Sequence, residues 1–279
     1  MQLTHIVAAT DESDAGRQAV RTALELAASA GAQVTVVRAV HVGRTVLAGV
    51  PGAVPDDDEA GAPALERLQR WVEADLPGLR NSPDINYAIA FGLPGVEIAR
   101  FGEQEHADLI VLGRKPRSRM TRLLLGDTAD AVARRSRLPC LFVPVGGRLP
   151  RRVLVAVDGS ERGMAVLRAA DGFARSIGAE LSVLTVEPAR PEEPAILAST
   201  TPATRSTRLQ EQVRGAVGRD LEVRRGEPAE QILEAVEQLG PDVLVIGSHR
   251  GGPAGVIEAG STARRLAHTA PCAVLTVPL

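Results

Sequence analysis

Two short glycine-bearing stretches near the end of the chain hold the residue types that could do chemistry. The first is Gly247-Ser248-His249-Arg250-Gly251-Gly252-Pro253, and the second is Gly260-Ser261-Thr262. Glycine lets a backbone approach an anion closely, and a helix start offers unpaired N–H groups at the positive end of the helix dipole. Ser261 is placed to cap a helix and also to donate its hydroxyl to a phosphate oxygen. The chemistry suited to this pattern is the holding of phosphate. It needs a strand ending near Gly247 and a helix opening at Gly260-Ser261-Thr262, because ligands of open parallel sheets sit beyond the carboxyl ends of the strands.

Other chemistry is poorly served. The chain has no Walker phosphate loop, no Gly-x-Gly-x-x-Gly turn and no Gly-x-Ser-x-Gly nucleophile elbow. Its five histidines, His5, His41, His106, His249 and His268, do not pair at metal-ligand spacing, and His5 and His268 read as structural strand and helix edges. The acidic run Asp56-Asp57-Asp58-Glu59 lacks the interspersed spacing of a calcium loop and reads as a solvated surface loop. No residue is assigned a catalytic or metal-ligating role.

Composition bounds the partners. A formal charge of −2 gives no electrostatic reason to expect nucleic acid or an anionic membrane. No secretory start is present, and no apolar run reaches the ~18 residues of a bilayer span. Cys140 and Cys272 each follow a proline and read as small buried strand residues at equivalent places. Without a disulfide or zinc framework they fit a reducing cytosol, so a cytoplasmic location is expected.

The elements that must position the phosphate loop come from an internal repeat. Ile6-Val7-Ala8-Ala9-Thr10-Asp11-Glu12-Ser13 is echoed by Val153-Leu154-Val155-Ala156-Val157-Asp158-Gly159-Ser160 at an offset of 147. Gly92-Leu93-Pro94 matches Gly226-Glu227-Pro228, and Asp108 to Gly113 matches Asp242 to Gly247, at an offset of 134. Apolar runs at 5–10, 34–40, 109–112 and 141–145 suit strands of a parallel sheet covered on both faces. Between them lie helical periods such as Val166, Ala170, Phe173 and Ile177, matched by Ala19, Ala23, Leu26 and Ala30. The pattern predicts two doubly wound parallel-sheet α/β domains in tandem, residues 1–147 and 148–279.

At these residues the chain resembles the universal stress protein family, whose nucleotide-binding members carry Gly, two residues, Gly, nine residues and then Gly-Ser. Gly247 and Gly260-Ser261 fall at the first and last places, while Arg250 stands at the second glycine position and Gly251 one step later. The resemblance covers nearly the whole chain twice and implies Rossmann-like domains of the adenine nucleotide alpha hydrolase kind. It also implies an adenine-nucleotide ligand, ATP or AMP, with magnesium as a companion. Asp158 would sit near the adenine or ribose, Val186 would offer backbone contacts to the base, and Gly247, His249, Gly260, Ser261 and Thr262 would surround the phosphates, with Arg250 in the same loop. The plain alternatives are a turn-capping Asp, a core Val and a helix N-cap.

The first repeat departs further from that pattern. Asp11, Ala39, Gly113 and Gly126 would line the matching site, but Pro116 replaces the second glycine and Asp127 the serine. Proline removes a donor, and Asp127 brings a carboxylate to the helix start where a phosphate would dock. Arg114, Lys115, Arg117, Arg119 and Arg122 then read as a solvated basic surface, with a degenerate anion site as the second reading.

The expected function is therefore a nucleotide-binding stress or regulatory module with its stronger site in the second domain. Two alternatives stand beside it: an assembly protein of the same fold that binds an unidentified protein partner and no nucleotide, and a slow ATPase. Single-domain relatives generally dimerise through their last strands. The resemblance thus implies that the runs from Cys140 to Val145 and Cys272 to Val277 pair as an internal pseudo-dimer, with homodimerisation as a further step.

Overall fold

A computed structural model describes residues 1–40, 61–76, 85–114, 127–187, 202–248 and 261–279. The chain divides into two compact units, Leu3–Leu149 (domain 1) and Pro150–Leu279 together with Met1–Gln2 (domain 2). Both are α/β units with an all-parallel sheet among the described residues.

Domain 1 runs β1 (His5–Thr10), α1 (Asp14–Ala30), β2 (Gln33–Val40), α2 (Gly61–Asp75), β3 (Ile85–Phe91), α3 (Pro94–Gln104), β4 (Leu109–Arg114), α4 (Asp127–Arg135) and β5 (Cys140–Pro144). Its strand order is β3-β2-β1-β4-β5. Domain 2 repeats the order of elements as β6 (Arg152–Ala156), α5 (Glu161–Ser176), β7 (Glu180–Glu187), α6 (Pro202–Val217), β8 (Leu221–Arg225), α7 (Pro228–Leu239), β9 (Val243–Ser248), α8 (Ser261–Thr269) and β10 (Ala273–Pro278). Its strand order is β8-β7-β6-β9-β10. In each domain the chain leaves the first strand in one direction and returns to its other side through the fourth, so the reversal lies beside β1 and beside β6. The central strands are apolar on both faces, and every residue of β1 is buried.

Local sequence fixes where the elements begin. Ser13 and Ser160 cap α1 and α5, each hydroxyl accepting from the N–H of a glycine three residues on, Gly16 and Gly163. The Gly-x-Pro landmarks have a backbone reason. Gly92 and Gly226 take φ of 140° and 144°, a region that excludes side chains, and Pro94 and Pro228 then start α3 and α7 at the position proline tolerates. The Gly92 and Gly226 N–H groups close onto the preceding sheet, donating to the Val40 and Glu187 carbonyls at 3.0 Å each.

The first residue of each Asp-to-Gly strand motif is a clamp at the end of the sheet opposite the strand tips. Asp108 Oδ2 accepts from the Thr4 N–H (2.7 Å), the Thr4 hydroxyl (2.7 Å) and the His5 N–H (3.0 Å). Asp242 Oδ2 accepts from the Arg151 and Arg152 N–H groups at 3.0 and 2.9 Å. Each Asp thereby ties the fourth strand to the start of the first. Among the described residues no helix is long and apolar enough to cross a membrane.

One sequence expectation is corrected here. Cys140 lies in β5, buried, with burial pushing its thiol up to about 12. Cys272 is half-buried and precedes β10 rather than belonging to it. The sheet register explains the difference: Ile110 pairs with Cys140, whereas Leu244, its counterpart at the 134 offset, pairs with Val274. The two cysteines are therefore two residues apart in register.

Burial pushes the Asp108 carboxyl up, but the hydrogen bonds from Thr4 and His5, with the nearby His5 charge, outweigh it and hold the group below the ordinary carboxylate range. A lowered folded value makes the clamp's contribution complete above the unfolded pKa of about 3.9 and lost as pH falls through the folded value. Asp108→Ala should cost about 1–3 kcal/mol near neutral pH. Urea denaturation should show that cost shrinking below about pH 4; a cost unchanged by acid would contradict the assignment.

A candidate ligand cavity at the strand tips

The strand that starts each domain is followed by the same turn, Asp-x-Ser-x-x-Gly: Asp11 to Gly16 and Asp158 to Gly163. The Asp folds back over the start of the helix. Asp158 Oδ1 accepts from the Ser160 N–H at 3.0 Å and from its hydroxyl at 2.6 Å. Asp11 Oδ1 accepts from the Ser13 N–H at 3.2 Å and from its hydroxyl. Because one hydroxyl both donates to the Asp and caps the helix, carboxylate and helix start are fixed as one unit.

The glycine ending this turn is required by space. A Cβ on Gly163 would lie 2.4 Å from Asp158 Oδ1, and one on Gly16 would lie 2.5 Å from the Thr10 hydroxyl oxygen and 3.0 Å from Asp11 Oδ1. Sequence reading missed both glycines, although they keep the same 147 offset as the Asp and Ser and were visible in that alignment.

Beyond each turn opens a cavity at the carboxyl ends of the strands, beside the point where strand order reverses. In domain 2 it measures about 320 Å³, and Asp158, Val186, Gly247 and Thr262 all line it. In domain 1 it measures about 270 Å³, and Asp11, Ala39, Gly113 and Thr128 line it in corresponding places. Ala39 and Val186 are penultimate in β2 and β7, while Thr128 and Thr262 sit in the first turns of α4 and α8. Of the other expected site residues, Gly126, His249, Arg250 and Gly260 lie outside the described residues. Ser261 opens α8.

The two cavities differ in their walls. Domain 1 places the Thr10 hydroxyl, which accepts from the Glu12 N–H at 3.0 Å, where domain 2 has Val157. Domain 2 adds Val166 and Leu279 to its lining. Leu279 matches Val145 in register, yet Val145 does not line the domain 1 cavity and is 42% exposed. The backbone approach differs too. A Cβ on Gly113 would fall 2.1 Å from the Ala15 carbonyl oxygen of α1, whereas one on Gly247 would meet side chains, Val166 Cγ2 at 2.9 Å and Leu279 Cδ1 at 3.1 Å. The helix start is thus pressed against β4 in domain 1, and side chains fill the same gap in domain 2.

Among the described residues no basic side chain lines either cavity, and none of the His, Cys, Asp and Glu side chains group as a metal site. What the arrangement offers a ligand is an apolar slot, one fixed carboxylate, and a helix N-terminus at its far side.

Comparison with known proteins agrees with this fold. The model of the family described as "Universal stress protein family" matches residues 2–144 and again 150–278. A universal stress protein of Methanocaldococcus jannaschii, MJ0531, is 31% identical over 144 residues, 50% of this chain and 80% of its own. Among solved structures, a universal stress protein from Archaeoglobus fulgidus superimposes with a TM-score of 0.72 at 21% identity, covering 100% of this chain and 99% of its own. A functionally unknown protein from Pseudomonas aeruginosa, PA1789, gives 0.72 at 17% identity, with 99% and 92% covered.

The unlike backbone approaches separate two otherwise equal substitutions. Gly113→Ala drives a methyl into backbone that cannot rotate away and should cost roughly 1–3 kcal/mol or more, while Gly247→Ala meets movable side chains and should cost less. Chemical denaturation of the two variants checks this, and equal costs would contradict it.

Proposed function

The chain belongs to the universal stress protein family, and from that premise we propose that it is an adenine-nucleotide-binding regulatory module whose principal site is in domain 2. The observation that carries this reading is the convergence of Asp158, Val186, Gly247 and Thr262, from four separate segments, on one cavity. At about 320 Å³ it falls at the lower end of the ~300–1,000 Å³ of small-molecule sites. Apolar walls from Val157, Val166 and Ile246 suit a base, and a carboxylate at Asp158 suits sugar hydroxyls, which donate to it.

Phosphates would lie toward the start of α8, where unpaired N–H groups and the helix dipole favour negative charge. The residues fit such a group in one further respect: Gly247 and Thr262, in the first turn of α8, line the same cavity. No metal cluster is present among the described residues, so magnesium would be held chiefly by the phosphates it accompanies. ATP and AMP both meet this description.

The preference for domain 2 is supported by the less crowded Gly247 and by Ser261 in place of Asp127, which removes a carboxylate from the helix start. A second reading, a partner-binding module, is favoured by one observation in domain 1: Phe91 and Leu93 are 41% and 59% exposed where domain 2 has Arg225 and Glu227. Under that reading nucleotides leave the melting temperature unchanged.

Isothermal calorimetry of the full chain tests the first reading. Asp158→Asn keeps the acceptor to Ser160 but removes the charge, and should weaken AMP or ATP binding about tenfold, the loss of one charge-assisted hydrogen bond. Asp11→Asn should leave the dominant binding isotherm unchanged. No heat from any adenine nucleotide at millimolar concentration would remove the reading.

A further inference from the structure

The turn after the first strand follows the same course in both domains but carries different middle residues. Domain 2 has Gly159 at φ 75°, and domain 1 has Glu12 at φ 60°. A side chain in that left-handed region costs roughly 1–2 kcal/mol, so the local backbone alone would favour glycine at both. The Glu12 carboxylate meets Arg38 Nη1 at 2.5 Å and lies 3.9 Å from Arg67 Nε.

The two guanidinium groups reach this carboxylate from different elements. Arg38 projects from β2 at the position paired with Thr10, and its side chain is only 17% exposed. Arg67 belongs to α2, and its Nε is buried with no hydrogen-bond partner among the described residues. Two other acids of α1 and α2, Asp75 and Asp14, pair with Arg17 at 2.7 and 3.5 Å. One carboxylate oxygen, Oε1 of Glu12, therefore faces two guanidinium groups. Domain 2 differs at this position: Thr185 stands where Arg38 would be and donates its hydroxyl to the Val157 carbonyl at 2.8 Å.

The cluster adjoins the domain 1 cavity. Glu12 lies between Asp11 and Ser13, and Arg38 precedes Ala39; those three neighbours all line the cavity. We propose that Arg38 and Arg67 form an oxyanion subsite at the rim of this cavity, suited to a phosphate group, and that the Glu12 carboxylate is the chain's own anion in it. Two guanidinium forks match the several oxygens and double charge of a phosphate better than they match a single carboxylate oxygen. Glu12, tethered at high effective concentration, competes with an incoming phosphate and sets the threshold for its entry. The inference does not rest on nucleotide binding by domain 2.

The test titrates inorganic phosphate and, separately, AMP into the full chain and its variants by calorimetry. Glu12→Gly gives domain 1 the residue that domain 2 carries at this turn, and Glu12→Gln keeps the side chain without its charge. Either should bind phosphate about tenfold or more tightly than the unaltered chain, and adding Arg38→Met should remove the gain. Binding by domain 2 is common to all variants and cancels in these differences.

Gains for phosphate and AMP alike assign the subsite to free oxyanions, and a gain for AMP alone assigns it to a phosphoryl group carried on a nucleotide; both support the proposal. Unchanged affinity for both, a gain that survives Arg38→Met, or lower melting temperatures without any gain would overturn it. Should neither Glu12 variant fold, the unaltered chain answers the question. Phosphate must then raise its melting temperature and Arg67→Met must abolish the rise; no rise would overturn the proposal.

Discussion

The packing of a helix start directly onto the carboxylate before it is the constraint on which both sites depend. Asp158 holds Ser160, Ser160 caps α5, and Gly163 leaves room for the carboxylate between them. With that unit in place the first turn of α5 is fixed over the tip of β6, and the space beyond it becomes a cavity rather than a packed junction. Asp11, Ser13 and Gly16 do the same for domain 1. At the other end of each sheet the Asp108 and Asp242 clamps hold the fourth strand against the first, so the strand tips that bound the cavity are anchored from below.

From this shared frame the domains have diverged by a few side chains. Domain 1 lets the α1 backbone close onto Gly113, keeps a hydroxyl at Thr10, and places Glu12 among arginines. Domain 2 separates helix from strand with Val166 and Leu279 and has glycine at the turn. The first cavity is accordingly smaller, less apolar and bordered by charge, and the second is larger and more apolar. A tandem of one fold can thus carry two unlike cavities, because none of these exchanges disturbs the clamps or the capping turns.

Most of the fold was legible in the sequence, because parallel strands buried on both faces leave continuous apolar runs and the chain shows each of them twice. The landmarks at offsets of 147 and 134 mark positions where backbone or hydrogen bonding admits few residues: Gly92 and Gly226 for their φ, Asp108 and Asp242 as clamps. Cys140 and Cys272 misled because proximity to proline says nothing about register, which only the pairing of β9 with β10 reveals. Gly16 and Gly163 escaped notice because a glycine inside the first turn of a helix looks incidental until the carboxylate beside it is seen. Leu279 and the left-handed Glu12 had no signature at all, since each acts through neighbours distant in sequence.

The central claim is that the cavity beside Asp158, not its counterpart beside Asp11, is the principal nucleotide seat. A crystal structure of the chain grown with ATP and magnesium tests it most directly. The account predicts nucleotide density between Val186, Gly247 and Thr262 in domain 2. Density between Ala39, Gly113 and Thr128 with an empty domain 2 cavity would contradict it.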